Sequence, residues 1–196
     1  QLEDCDSMAS DDVCSAMRML QRVQSITLVR DYVKPTEAVV TVEATISGKN
    51  ASVDASKLYD ALDILADNGT LIVDAKKSAA SGVSLTLPGA DVRTLANKNA
   101  QLVIETALGS ITLDAASLAG LASAAGSGNV VLTLDKLQRS SLSTALQNEL
   151  DEHAAIYQLT ATCGGKAVTT LNGTAQLKLP YTLQTDELAA NVRTSI

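Results

Sequence analysis

His153 is the only histidine in the chain and the one side chain suited to act as a general base near neutral pH. It lies in the sequence LDEHAA at the end of a predicted helix, where an imidazole usually interacts with the helix terminus. No GxSxG sequence accompanies it, and a nucleophilic Cys163 would require the same histidine. The sequence therefore predicts no catalytic residue, and we expect that the protein is not an enzyme.

Three cysteines, Cys5, Cys14 and Cys163, are candidates for a disulfide or an intermolecular bond. Their odd number excludes pairing of every thiol within one chain. On one continuous helix Cys5 and Cys14 would lie about 13 Å apart along the axis, so they can pair only if the chain between them folds back. Free thiols remain an equally good interpretation, and the sequence leaves the choice open.

Two further patterns resemble ligand sites. Asp60, Asp63 and Asp67 would form an acidic stripe on a predicted helix, but a calcium site needs oxygens that converge from a turn, and no DxDxDG loop is present. The sequences AAGSGN and CGGK are rich in glycine without the GxxxxGK[ST] spacing of a phosphate loop. We therefore expect a solvated helix face and ordinary turns, with no metal and no cofactor.

The composition excludes several classes of partner. The formal net charge is −7 and the only Lys/Arg doublet is Lys76-Lys77, so the chain lacks the basic patch that nucleic acids require. Aromatic residues make up only 2%, so a stacking platform for sugars would have to rest on Tyr59, Tyr157 or Tyr181. No apolar run has the length of a membrane span.

The elements that would position such residues begin with an N-terminal segment, residues 1–33. A helix is predicted over residues 7–23, followed by the extended sequence SITLVRDYV at residues 25–33 and a turn at Pro35. We treat residues 1–33 as a helical and extended segment that is a candidate assembly arm. Residues 34–196 are long enough to form one domain with its own core.

Within residues 34–196 one short sequence pattern is repeated. VDASKL at residues 53–58 corresponds to LDAASL at residues 113–118, and LPGADV at residues 87–92 is a weaker copy. In each copy a strand residue precedes a helix-capping Asp or a helix-opening Pro, and an apolar residue follows five positions after the strand residue. Predicted hairpins join residues 102–106 to 111–113 and residues 70–75 to 83–87.

The sequence therefore predicts an α+β fold of stacked β-hairpin–helix repeats around a shared sheet, with an N-terminal helix. Leu58, Leu95 and Leu118 are expected to be buried where their helices meet the sheet. A fourth helix is predicted in SSLSTALQNELDEHA, with Leu142, Leu146 and Leu150 at four-residue spacing. A closing pair of extended segments, AIYQLTATCGGKAVTTL and GTAQLKLPYTL, carries turn signals at Gly164-Gly165 and Asn172-Gly173.

Residues 83–192 resemble the repeated β/α module found next to the S-layer homology domains of Gram-positive (Firmicutes) cell-surface proteins. VSLTLPGADVRTLANKNAQLVIETALGSITLDAASLAGLA, then IYQLTATCGGKAVTTLNGTAQLKLPYTL with its following acidic turn, carry the resemblance. It implies an extracellular, wall-associated setting and a spacer or assembly role, without active-site residues. Such modules usually lack cysteine, and this chain has three.

From these observations we expect a non-catalytic extracellular structural module of a bacterial cell-surface layer, appendage or filament. Its partners would be further copies of itself or other surface-layer subunits. We expect it to be located at the cell surface. The alternative is a cell-wall- or glycan-binding accessory module of a surface enzyme.

Overall fold

The computed structural model describes residues 36–150 and 154–180. These residues belong to one compact unit that begins at Thr36. The helix and the extended segment predicted within residues 7–33 lie outside the described residues, as do Cys5, Cys14, His153 and Tyr181. The strands are β1 Glu37–Glu43, β2 Thr45–Ser47, β3 Asn50–Ser52, β4 Leu65–Ala75, β5 Gly82–Pro88, β6 Gln101–Thr106, β7 Gly109–Leu113, β8 Asn129–Leu137, β9 Ile156–Cys163, β10 Lys166–Val168 and β11 Ala175–Lys178. The helices are α1 Ala55–Ile64, α2 Gly89–Asn97, α3 Ala115–Ala125 and α4 Thr144–Glu149, with a 3₁₀ turn at Arg139–Ser141.

The described strands form two sheets. The first sheet has the order β1-β4-β6-β7-β11, and the second has the order β10-β9-β8-β5-β3-β2. The fold is therefore mixed α and β, as predicted. The prediction of a single shared sheet was wrong. The reason is that α1 and α2 each carry the chain from the second sheet to the first, and α3 carries it back.

The helix starts follow from local sequence, and their prediction is confirmed. The Asp54 carboxylate accepts hydrogen bonds from the N–H groups of Ser56 and Lys57, and Asp114 caps α3 by accepting one from Ser117 N–H. These bonds satisfy N–H groups that have no partner within the helix. Helix α2 begins directly after Pro88, whose fixed φ favours a helix entrance.

The core lies where the helices meet the inner faces of the two sheets. Leu58, Leu95 and Leu118 are at most 2% exposed, so their predicted burial is confirmed. Helix α3 contacts β6 of the first sheet and β8 and β9 of the second. Among the described residues, every buried side-chain nitrogen and oxygen has a hydrogen-bond partner. The apolar interior is thus shared by both sheets.

Two of the three predicted strand pairs were wrong. Residues 102–106 and 111–113 do form the expected antiparallel hairpin, β6 with β7. Residues 70–75 and 83–87, however, belong to β4 and β5, which lie in different sheets. The closing pair also separates. The predicted turn at Gly164-Gly165 is confirmed, since β9 turns there into β10, but β11 pairs with β7 of the first sheet.

Two predicted helices are shorter than expected. Helix α1 ends at Ile64, and Leu65 already begins β4, so Asp67 lies on a strand and does not continue the acidic stripe of Asp60 and Asp63. Helix α4 spans only Thr144–Glu149 and buries none of its residues. The four-residue spacing of leucines therefore does not mark a core-facing side of α4. The side chain of Leu146 in this helix is 49% exposed.

Candidate assembly surfaces

Strand β1 forms one edge of the first sheet. It pairs in parallel with β4, and among the described residues no strand pairs with its other side. Its central residues, Ala38–Val42, carry no charge, and the side chain of Val39 is 54% exposed. The other described edges are shorter: β2 and β10 have 3 residues each, and β11 has 4. Edge strands in native proteins are usually short or carry charged side chains, which prevent pairing with another chain. Strand β1 has seven residues and no charge at its centre.

The outer face of the first sheet carries a row of β-branched side chains. Thr41 is aligned with Ile72, Ile72 with Val103, and Val103 with Thr112. Val39 and Thr70 are aligned in the next row. All of these side chains are exposed or half-buried. They form a face of low charge that begins at β1, the edge strand of the first sheet among the described residues.

A row of charges limits this face on one side. Glu43, Asp74 and Glu105 are aligned across β1, β4 and β6. Lys76 Nζ lies 2.7 Å from Glu105, and Lys77 Nζ lies 3.0 Å from Glu43. The hydrogen bond and charge of Glu105, with Asp74 nearby, raise the pKa of Lys76. The two lysines thus offset two of the three negative charges in this row, and the β-branched rows are the uncharged part of the surface.

The outer face of the second sheet is built of hydroxyl groups. Ten aligned positions form two rows across five strands, and eight of them are Ser or Thr. These ten are Thr45, Ser52, Thr86, Val131 and Thr162 in one row, and Ser47, Asn50, Ser84, Thr133 and Thr160 in the other. The hydroxyls of Ser84 and Thr133 are hydrogen-bonded at 2.9 Å. Neither row contains a charged residue, so this face suits a neutral partner.

The chain segment before β11 is fastened to helix α3 through Asp114. The Asp114 carboxylate accepts hydrogen bonds from Ser117 N–H at 2.8 Å and from Thr174 N–H at 2.8 Å. Ser117, which is fully buried, donates its hydroxyl to the Thr174 carbonyl at 3.2 Å. The two backbone N–H groups, that of Ser117 first, lower the pKa of Asp114. One carboxylate therefore caps a helix and also holds the last described strand in place.

Of the three cysteines, only Cys163 falls within the described residues. Its side chain is 1% exposed at the end of β9, it forms no disulfide there, and burial raises the pKa of its thiol. A buried thiol with a raised pKa reacts slowly because little thiolate is available. A disulfide from Cys163 to Cys5 or Cys14 therefore requires the end of β9 to open, and the linkage remains a prediction.

The tyrosines proposed as a sugar platform differ in exposure. The side chain of Tyr59 on α1 is 69% exposed, whereas Tyr157 on β9 packs against the core. Across residues 36–150 and 154–180, no group of three His, Cys, Asp or Glu side chains is placed to hold a metal ion. Within the same residues, no helix is both long and apolar enough to cross a membrane.

The sequence analysis did not predict the β-branched outer face of the first sheet or the hydroxyl-rich outer face of the second. The alternation of Ser and Thr with apolar residues, as in Ser84-Leu85-Thr86 and Thr160-Ala161-Thr162, was the available signal. It shows that each strand has a hydroxyl side, but not which strands lie next to each other. No protein-family model, curated protein or solved structure matches this chain. The surfaces themselves are therefore the basis for a proposal of function.

Proposed function

We propose that this chain is a non-catalytic structural module of a bacterial cell-surface layer, appendage or filament, which associates with further copies of itself. The resemblance of residues 83–192 to modules of Gram-positive surface proteins supports this function. So does the composition, which disfavours nucleic acids and provides few aromatic rings for sugar stacking. The finer architecture we propose, stacked β-hairpin–helix repeats, suits a module whose copies present the same packing surface.

The free edge of β1 is the observation that carries this proposal. A seven-residue edge strand with an uncharged centre offers a row of backbone N–H and C=O groups to another chain. The β-branched outer face of the first sheet begins at the same edge, so a partner that pairs with β1 would also cover Val39 and Thr41. Burial of this apolar area would favour association.

A charged substitution on β1 tests the proposal. In Thr41→Lys, an exposed side chain on the free edge becomes charged, which should prevent strand addition while leaving the fold intact. Ser127→Lys, in the exposed turn between α3 and β8, is the control for the added charge alone. We expect wild type and Ser127→Lys to form sheets or fibres at high concentration, and Thr41→Lys to stay monomeric. Light scattering and electron microscopy measure this, and a monomeric wild type would contradict the proposal.

A second candidate function is binding to a neutral cell-wall polymer. The uncharged hydroxyl rows on the second sheet favour it, because hydroxyl groups both donate and accept hydrogen bonds. A monomer that sediments with purified cell walls, and loses this property in Thr86→Lys but not in Ser127→Lys, would support this function over self-assembly.

A further inference from the structure

The two hydroxyl rows of the second sheet cross five neighbouring strands, from β2 to β9. Neighbouring strands in a sheet lie about 4.8 Å apart, so each row is about 19 Å long. The rows are two residues apart along each strand, which separates them by about 6.6 Å. Eight hydroxyl groups therefore form a regular array on one surface. An array of this length suits an elongated partner better than a small molecule.

The charge beside this array is balanced. On one side of it lies Asp135, which forms an ion pair with Lys49 at 2.8 Å between Oδ1 and Nζ. On the other side the aligned pair Pro88 and Asn129 is uncharged. The formal net charge of the chain is −7, but the ten aligned residues carry none of it. A charged polymer would find no opposite charge in the array, so the surface favours an uncharged partner.

The hydroxyl groups restrict the partner further, because each needs hydrogen bonds. A Ser or Thr hydroxyl both donates and accepts, and a partner that displaces water from it has to replace those bonds. An apolar protein surface would leave such groups unpaired. None of the ten residues is aromatic, so binding cannot depend on ring stacking. A polyhydroxylated chain meets these requirements, because every unit along it both donates and accepts hydrogen bonds.

The twist of a sheet distinguishes a single chain from a flat surface. Adjacent strands are rotated by about 20–25° relative to each other, so the direction changes by roughly 80–100° from the first to the fifth strand. A flat crystalline polymer would contact only a few strands of such a sheet at once. A single flexible chain can turn with the rows and contact all of them.

We propose that one uncharged, unbranched polysaccharide chain binds along the two hydroxyl rows and lies across the strands from β2 to β9. This inference rests on the second candidate function, binding to a neutral cell-wall polymer, and names the form and the path of that polymer. Each hydroxyl contributes a weak neutral hydrogen bond, so affinity accumulates along the rows. It should increase with the length of the saccharide until the chain spans a whole row.

Titration of the full chain with soluble saccharides tests this path. The probes are neutral oligosaccharides released from purified cell walls by partial acid hydrolysis and graded by length, and calorimetry measures their affinity. We expect the affinity to rise with length and then to level off. Thr45→Val and Thr160→Val remove one hydroxyl at each end of the array and keep the β-branched shape of the side chain. Each should weaken binding of the longest oligosaccharides by about two- to tenfold.

Thr170→Val is the matched control for these variants. Thr170 is exposed between β10 and β11, outside both rows, so its substitution should leave the affinity unchanged. Circular dichroism checks that each variant keeps its fold. Equal affinities for short and long oligosaccharides, or unchanged affinity in both end variants, would overturn the path across the sheet.

Sedimentation with cell walls separates this inference from the function on which it rests. A wild type that sediments with the walls but binds no soluble oligosaccharide would overturn the single-chain path and leave wall binding in place. A wild type that does not sediment would contradict wall binding itself. Light scattering without saccharide gives a further outcome: if Thr160→Val abolishes association between copies, the array is an interface between copies and the inference is wrong.

Discussion

Leu118 is the residue whose truncation should most directly test the shared core. It lies on α3, its side chain is fully buried, and α3 contacts strands of both sheets. Leu→Ala substitutions in such cores cost about 2–5 kcal/mol, because the lost transfer free energy is added to the cost of the cavity. Since two sheets hold the site open, the cavity should collapse little. We expect the upper half of that range, about 3–5 kcal/mol.

Urea denaturation followed by circular dichroism measures the change in the free energy of unfolding. Leu146→Ala is the matched control: the same substitution on helix α4, where the side chain is 49% exposed, should change stability by less than about 0.5 kcal/mol. A change below about 0.5 kcal/mol for Leu118→Ala as well would show that α3 is not packed between the two sheets as described.

Three further predictions concern the β11 attachment and the buried thiol. Asp114→Ala should cost about 1–2 kcal/mol at neutral pH, more than Asp54→Ala, which removes a helix cap without a link to another strand. Because the folded-state pKa of Asp114 is lowered, its contribution is fully present above the unfolded-state pKa of about 3.9 and is lost as the pH falls through the folded-state value. The difference between wild type and Asp114→Ala in urea titrations should therefore shrink at acid pH, and an unchanged difference would contradict this role. Gly173→Ala should lower the thermal midpoint, because its Cβ would collide with the Asp114 carboxylate and lie 2.6 Å from Ser117 N. With Cys5→Ser and Cys14→Ser in place, Cys163 should react with a thiol reagent more than about tenfold slower in buffer than in urea, and equal rates would show that the end of β9 is open.

The parts of the fold that sequence predicted correctly depend on neighbouring residues. Asp54 and Asp114 cap helices because a carboxylate just before a helix reaches N–H groups two or three positions later. The hairpin of β6 and β7 was likewise predictable, because only Ala107 and Leu108 separate its strands. Burial of Leu58 and Leu118 followed from their position five residues after the apolar strand residue that precedes each helix, whereas Leu95 lies eight residues after Leu87.

The errors arose where contacts are distant in sequence. Residues 70–75 and 83–87 carry strand patterns and a short connection, which also describes a hairpin, yet the chain passes from one sheet to the other between them. The pattern of α4 is typical of a buried helix, but nothing in the spacing of Leu142 and Leu146 states whether a partner surface is present. Hydrophobic periodicity reports which side of an element is apolar, and not what covers it.

The sequence by itself determined most of the element types and the caps of α1 and α3, because these are set within a few residues. Only the tertiary structure decided that there are two sheets, that β11 joins β7, and that the hydroxyl sides of distant strands align into one face. Local sequence does not decide which strands pair, because the backbone hydrogen bonds are the same for every pair of strands. Selection among pairs therefore comes from packing across the whole core, which no local pattern contains.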